Sequence, residues 1–436
     1  MKGLLKFSIL TSMLVSIGLN AAQPDDDFDA IDALLDKQFA GTDAILERRF
    51  EAVEEAVDKA FKGLTKKIEI NWGADGLVLP SPHEWVDYSP DMQTRRIMDF
   101  EAGILTVETI IQPNQSQKEI AHTLKQAVQS AATDSASDLE KKDQLAAAIK
   151  EHLSKQIDSK APTTSRADSS NTEKPLLKNA ISTQQLRYML KEIESLNTDS
   201  LPAAQQTAKV KEDAPSTTKE SEKQPKTAKI ERKMIQAGGA EAVVVRVQIP
   251  FLSDYQNSLI EDNLHVIKKY SKTFDVPVSL ILAIIQTESS FNPRATSPIP
   301  AFGLMQLVPR TAGIDAYRHV YGEKKIVEPE YLYDPENNIE LGVAYFNLLT
   351  TRYLRKVNDP LSRFYCAVAS YNTGVGNLAK TFTGRKNFNK AARLINEQTP
   401  DQIFQFLIEK LPALETRRYL KKVTLAQQKY KQWDEI

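Results

Sequence analysis

Apolar positions in the first third of the chain follow three unlike patterns. A largely apolar run from Phe7 to Gly18 comes after Lys2 and Lys6 and gives way to the small residues Ala21 and Ala22. That order predicts a secretory signal over residues 1–22, too short to cross a bilayer comfortably, with an uncleaved membrane anchor as the alternative. Beyond the acidic Asp25, Asp26 and Asp27, the residues Phe39, Phe50, Val53, Val57, Ala60, Phe61 and Leu64 recur mostly at threes and fours. This is the period of a helix that buries one face. A loop rich in Gly and Pro covers 73–82, a mixed segment follows, and Ile104 to Ile111 alternates as a half-buried strand does.

From about Gln115 to Lys233 the chain changes character. Ser, Thr, Gln, Lys, Glu and Ala dominate and aromatic residues almost vanish. Such a composition predicts a polar, partly helical, largely flexible insertion, helical near 119–157 and 182–196 and linker-like over 161–172 and 202–227. Ala242 to Ile249 is a second β-branched run, closed by Pro250. Pairing it with 104–111 across the insertion would assemble one small α+β domain from residues 23–114 and 234–252. From Asp254 onward the pattern is helical, with helices expected over 259–274, 278–289, 309–322, 335–355 and 360–373 and several more to Gln432. Pro277, Pro309, Pro335 and Pro360 sit where helices begin. The fold class expected is an α+β accessory N-terminal domain followed by an all-α domain over 253–436.

Composition removes some functions. The 436 residues suit two or three domains, and a formal net charge of -1 provides no basic field for nucleic acid. Cys366 is the single cysteine, so no intramolecular disulfide forms and no cysteine ends the signal to carry a lipid. Its neighbours Tyr365, Ala367 and Val368 mark it as a small buried hydrophobe. The five histidines, His83, His122, His152, His265 and His319, lack ligand spacing, so neither a metal site nor a cofactor is expected.

The chemistry lies in the last third. Glu288 follows Leu280, Ile281, Ile284 and Ile285 on one helix, and Ile281 and Ile284 stand seven and four residues before it. The carboxylate therefore projects on nearly the same face as the apolar stripe. Loss of hydration there raises its proton affinity, the condition for a general acid near neutral pH. On spacing alone, a glutamate that caps or pairs at a helix end fits equally well. Downstream, Asn292 and Pro293 end the helix, and Ser297 and Pro298 open a loop that runs to Gly303, Leu304, Met305 and Gln306. Gly303 permits close backbone approach, and neutral amides and hydroxyls suit the N-acetyl and hydroxyl groups of a sugar. Ser370, Tyr371, Asn372, Thr373 and Gly374 add a third polar segment.

These segments resemble a known family. Glu288 and Ser289, Ser297, Gly-Leu-Met-Gln at 303–306, Asn-Ile-Glu-Leu-Gly at 338–342 with Tyr345, Tyr371 and Asn372, and Glu415-Thr416-Arg417 with Tyr419 resemble the family 1 lytic transglycosylases of goose-type lysozyme fold. The likeness covers about Asp254 to Tyr430, and Ser370 stands where the family usually has alanine. Phe28 and Asp29, Trp72 and Gly73, Trp85 to Ser89, Arg95, and Asp99 to Gly103 are similar to the amino-terminal domain of the membrane-bound lytic murein transglycosylase C family.

The resemblance implies a lysozyme-like catalytic domain acting on peptidoglycan glycan strands in the periplasm. Cell-wall protein complexes are possible partners, as is the outer membrane, although the lipid-carrying cysteine is missing. It implies that Glu288 protonates the oxygen between N-acetylmuramic acid and N-acetylglucosamine and then takes the proton of the muramoyl C6 hydroxyl, leaving a 1,6-anhydro end. Tyr371 would hydrogen-bond and orient Glu288. Ser297, Gly303, Met305, Gln306, Tyr345 and Asn372 would line the sugar subsites, with Glu415 positioning groups nearby rather than attacking. Two other readings stay open: a muramidase that adds water, and an inactive glycan-binding scaffold. Trp72 and Trp85 are either core residues or sugar-stacking platforms.

Overall fold

A computed structural model of the chain describes residues 43–156, 175–177, 179–198, 228–237 and 239–435. The expected signal and the linker stretches 161–172 and 202–227 lie outside these residues. Chain contacts group residues from Arg49 onward into one compact unit. Helix α1, Asp43–Trp72, buries Val53, Ala56, Val57, Ala60, Phe61, Leu64, Ile68 and Trp72, the stripe its spacing predicts.

Five strands follow in one antiparallel sheet: β1 (Glu84–Tyr88), β2 (Thr94–Asp99), β3 (Ile104–Ile110), β4 (Lys229–Ala237) and β5 (Ala240–Pro250). Their spatial order is β1-β2-β3-β5-β4. The expected pairing across the insertion is present, with Val107 opposite Val247 and Ile104 opposite Pro250. Strands β1 and β2 had read only as a mixed segment, because their buried positions include charges. Arg95 and Glu108 are each almost fully buried and meet at 2.5 Å across β2 and β3, with the Arg95 guanidinium 3.9 Å from the Trp72 ring centroid. Arg96 likewise pairs with Asp87 at 2.5 Å and Asp134 at 2.7 Å. A buried charge persists only when it is paired and hydrogen-bonded, and such pairs hide a strand from hydrophobic patterning. Trp72 and Trp85 are both buried in this core, so neither is a sugar platform.

The stretch 115–233 holds helices α2 (Gln117–Thr133), α3 (Ala136–Lys142), α4 (Gln144–Ser154) and α5 (Thr183–Glu194). Capping boxes at Ser116 with Glu119, Ser135 with Asp138, and Ser182 with Gln185 start three of them. Ile120, Leu124 and Val128 of α2 and Met189 and Ile193 of α5 are buried in the same core as the sheet. Strand β4 also begins inside this stretch; at the sheet edge its outward charges gave it a polar reading.

The remainder is helical: α6 (Tyr255–Phe274), α7 (Val278–Ser289), α8 (Ile314–Tyr321), α9 (Pro329–Tyr333), α10 (Pro335–Leu348), α11 (Pro360–Thr373), α12 (Val375–Thr383), α13 (Phe388–Asn396), α14 (Pro400–Lys410) and α15 (Leu414–Lys429). Two expected helices are shorter, since π turns occupy Pro309–Gly313 and Leu349–Tyr353. Every residue of α7 from Val278 to Ile285 is buried, so this helix is the centre of its layer, and α15 packs along it. Cys366 in α11 is fully buried, and burial pushes its thiol up to about 12. Among the described residues, no helix is long and apolar enough to cross a membrane.

Removal of Arg95 from its pair leaves Glu108 in the core with Arg246, 2.6 Å away, and the more distant charge of Lys233. Arg95→Met is therefore expected to lower the unfolding free energy by roughly 3 kcal/mol, measured by urea denaturation. A loss below about 1 kcal/mol, the range of exposed pairs, would contradict this view of the sheet.

Candidate active site

Glu288 is the last-but-one residue of α7, where the wholly apolar part of the helix reaches a half-buried edge. Burial raises its carboxyl to about 8, and the negative charge of Glu415 pushes the same way; the Tyr419 hydroxyl opposes them but does not prevail. Glu415 and Tyr419 lie one turn apart on α15, the helix packed along α7. Glu415 is exposed, whereas Tyr419 is buried. Among the described residues the Tyr419 hydroxyl has no hydrogen-bond partner within 3.5 Å, and the polar group it interacts with is the Glu288 carboxyl. Burial and the Glu288 carboxyl hold both Tyr419 and Tyr371 well above the usual phenol range, so both stay protonated.

Tyr371 does not donate to Glu288 as expected. Its hydroxyl donates to the Met305 carbonyl at 3.0 Å, and its ring lies 5.5 Å from that of Tyr345. A phenol has one proton, so here Tyr371 braces the 303–306 turn beside the acid. Met305 differs from expectation too. Its side chain is fully buried, and a Cβ added to Gly342 would sit 2.4 Å from its sulfur, so it is a core residue and not a sugar contact.

Backbone geometry explains the Gly-Leu-Met-Gln run. Gly303 has φ of 75°, and an added Cβ would lie 2.1 Å from the Leu332 carbonyl oxygen and 2.4 Å from Asn338 Nδ2. Only glycine fits there. Asn338, fully buried, donates to the Phe302 and Leu332 carbonyls at 2.8 Å and accepts from the Met305 N–H at 2.8 Å. Ser289, also fully buried, donates to the Leu304 carbonyl at 2.8 Å and so ties the end of α7 to the same turn. Gln306 has φ of 46° and donates its amide to the carbonyls of Ala295 and Gly303, both at 3.1 Å. Its nitrogen therefore shapes the loop, which leaves the amide oxygen for other partners.

The remaining expected residues are dispersed around this core. Ser297 is half-buried, and its N–H bonds the Ala301 carbonyl. Asn372, half-buried on α11, accepts from the Thr416 hydroxyl of α15 at 2.7 Å. Tyr345 is buried under Tyr371. Sequence reasoning did not single out Ser289, Asn338 or Tyr419 as site residues. Tyr419 has a recoverable signal, because it follows Glu415 by one helical turn and shares its face.

The chain is similar to known proteins in both of its parts. Residues 265–394 match the transglycosylase SLT domain model, and residues 50–185 match the model of the membrane-bound lytic murein transglycosylase C N-terminal domain. Membrane-bound lytic murein transglycosylase C of Yersinia pestis (strain Pestoides F) is 31% identical over 369 residues, 84% of this chain and 87% of that protein. The chain belongs to the membrane-bound lytic murein transglycosylase C family. It is an enzyme of the lytic murein transglycosylase class. The relative from Yersinia pseudotuberculosis (serotype O:1b, strain IP 31758) matches to the same extent. The 70 kDa soluble lytic transglycosylase of Escherichia coli is 25% identical over 40% of this chain and 25% of its own, with a TM-score of 0.30. The SLT match contains Glu288, Gly303, Asn338 and Tyr371, while Glu415 and Tyr419 lie beyond its end in this member of the family.

The raised carboxyl can be tested without substrate. The folded chain holds the Glu288 proton more tightly than the unfolded chain, whose value is the ordinary 4.5, so its stability falls as pH rises from there through about 8. Glu288→Gln removes that titration. The variant is expected to be more stable than wild type at pH 7 and equal to it below about pH 4.5, as read from urea midpoints across pH. An equal or lower midpoint at pH 7 would show that the carboxyl ionises without penalty.

Proposed function

We propose that the chain cleaves the β-1,4 bond between N-acetylmuramic acid and N-acetylglucosamine in peptidoglycan without adding water. The observation that carries this reading is the Glu288 carboxyl, raised to about 8 by burial and therefore protonated at neutral pH. Glu288 gives its proton to the bridging oxygen as the C1–O bond breaks and the N-acetylglucosamine hydroxyl departs. The neighbouring acetamido group stabilises the positive charge at C1, so a second carboxylate is not required, unlike the usual pair of acids. Glu288, now anionic, accepts the C6 hydroxyl proton while that oxygen bonds to C1. The product is a 1,6-anhydromuramoyl end, and Glu288 is protonated again.

Tyr419 supports the middle of this cycle. A neutral phenol facing the carboxyl contributes most when Glu288 is anionic, because hydrogen bonds to an ionised acceptor are stronger than neutral ones. Ser297, Gln306, Tyr345 and Asn372 are assigned to the sugar subsites, and Glu415 to positioning at the exposed rim. The relatives are named for murein and for the membrane, which supports action on the cell wall in the periplasm by a catalytic domain over 253–436.

Glu288→Gln is expected to reduce release of soluble fragments from peptidoglycan by at least roughly a thousandfold, followed by chromatography of digests. Wild-type fragments are expected to be lighter by one water than the reducing-end products of a muramidase, as weighed by mass spectrometry. Activity must fall as pH rises through about 8, because the acid form is lost. Reducing ends throughout would establish hydrolysis instead, and wild-type release by Glu288→Gln would remove the acid from its role.

A further inference from the structure

The turn that follows Glu288 is held from outside the helical layer. Ser290 and Phe291 have φ of 51° and 68°, two successive left-handed residues that are not glycine. Such backbone persists only where its surroundings over-determine it. Those surroundings come from the accessory region. His83 Nδ1 lies 3.0 Å from Ser290 Oγ, and Asn292 donates its side-chain amide to the Pro82 carbonyl at 3.1 Å. Two residues further, buried Arg294 pairs with Asp143 at the start of α4 at 3.0 Å, and its guanidinium stacks 4.0 Å from the Tyr333 centroid. Three successive anchors thus fall within six residues of Glu288. Immediately beyond them, the Ala295 carbonyl accepts from Gly303 N–H and from the Gln306 amide. Both arms of the site, the acid and the 303–306 turn, grow from this one clamped segment.

We infer that the accessory region is a working part of the active site, with His83 a positioning residue that fixes the Ser290 turn and through it the Glu288 carboxyl. The inference rests on the proposed reaction and deepens it. Ser290 links the two directly, because its N–H bonds the Gln286 carbonyl at the end of α7 while its hydroxyl meets His83. Asp99, Glu101 and Lys422 face the imidazole from the sheet and from α15, and burial holds its proton affinity below the ordinary value. The neutral ring can accept from the Ser290 hydroxyl. Covalent continuity alone does not hold Glu288, since a helix end frays unless its cap is fixed. Small displacements of a reacting group cost rate far more than they cost stability.

Three variants of the full chain test this. His83→Ala removes the ring. Ser290→Gly removes the hydroxyl yet suits φ of 51° and so keeps the fold. His83→Asn restores a polar atom near the Nδ1 position. On a soluble, uncrosslinked glycan strand, the first two are expected to lower kcat roughly tenfold with KM within about twofold. Their alkaline limb moves toward acid, because a less confined Glu288 regains water. His83→Asn regains most of the rate, and thermal midpoints stay close to wild type. Without substrate, hydrogen exchange over 284–296 becomes at least about tenfold faster in the first two variants. Wild-type kcat and alkaline limb in either of them would overturn the clamp, as would a loss that His83→Asn fails to restore. Unchanged exchange would also overturn it, whether or not the chain cleaves glycans. Faster exchange in a chain with no cleavage would remove the proposed reaction and leave the clamp standing.

Discussion

A carboxyl group in water loses its proton near pH 4.5 because water solvates the anion. At Glu288 the chain withdraws that water by placing the residue at the end of a helix that is apolar on every side from Leu280 to Ile285. The two groups that act on it most are a neutral phenol and another carboxylate, Tyr419 and Glu415, and neither is a cation. A lysine or arginine at Tyr419 would favour the anion and return the carboxyl toward its ordinary value. The absence of a positive neighbour among the described residues is thus as much a part of the acid as the aliphatic wall.

Charge is used differently in the two parts of the compact unit. The sheet and the end of α2 bury Arg95, Arg96, Asp87, Glu108 and Asp134 as mutually satisfied ions. Around the acid, the structure relies on neutral groups and backbone carbonyls instead. Asn338, Ser289, Tyr371 and Gln306 direct their hydrogen bonds to main-chain atoms of one loop. Neutral bracing fixes the loop without altering the electrostatics at Glu288. The arginine nearest in sequence, Arg294, is held away in its pair with Asp143.

How much of this could be read from the chain depended on whether a residue's partner was local. Helices over 278–289 and 360–373 and the pairing of 104–110 with 244–250 followed from period, proline placement and β-branching. Strands β1 and β2 did not, because Arg95 and Arg96 are buried against charges far along the chain. The apolar surroundings of Glu288 were legible from the stripe before it, although a capping or pairing glutamate fitted the same spacing. Met305 was misread as a contact because an apolar residue in a polar loop gives no sign of the Gly342 surface it fills. Tyr371 was expected to orient Glu288, but its partner is a main-chain carbonyl that no side-chain pattern reveals. Tyr419 sits on the most polar of the neighbouring helices, and only packing brings it to the acid.

The most direct measurement is a carbon-13 NMR titration of the Glu288 side-chain carboxyl in the intact chain, assigned by its loss in Glu288→Gln. The result expected is a midpoint near 8, with the group protonated at pH 7. A midpoint at the ordinary 4.5 would mean that water reaches the carboxyl freely, and the chain would then hold no acid ready to protonate a glycosidic oxygen.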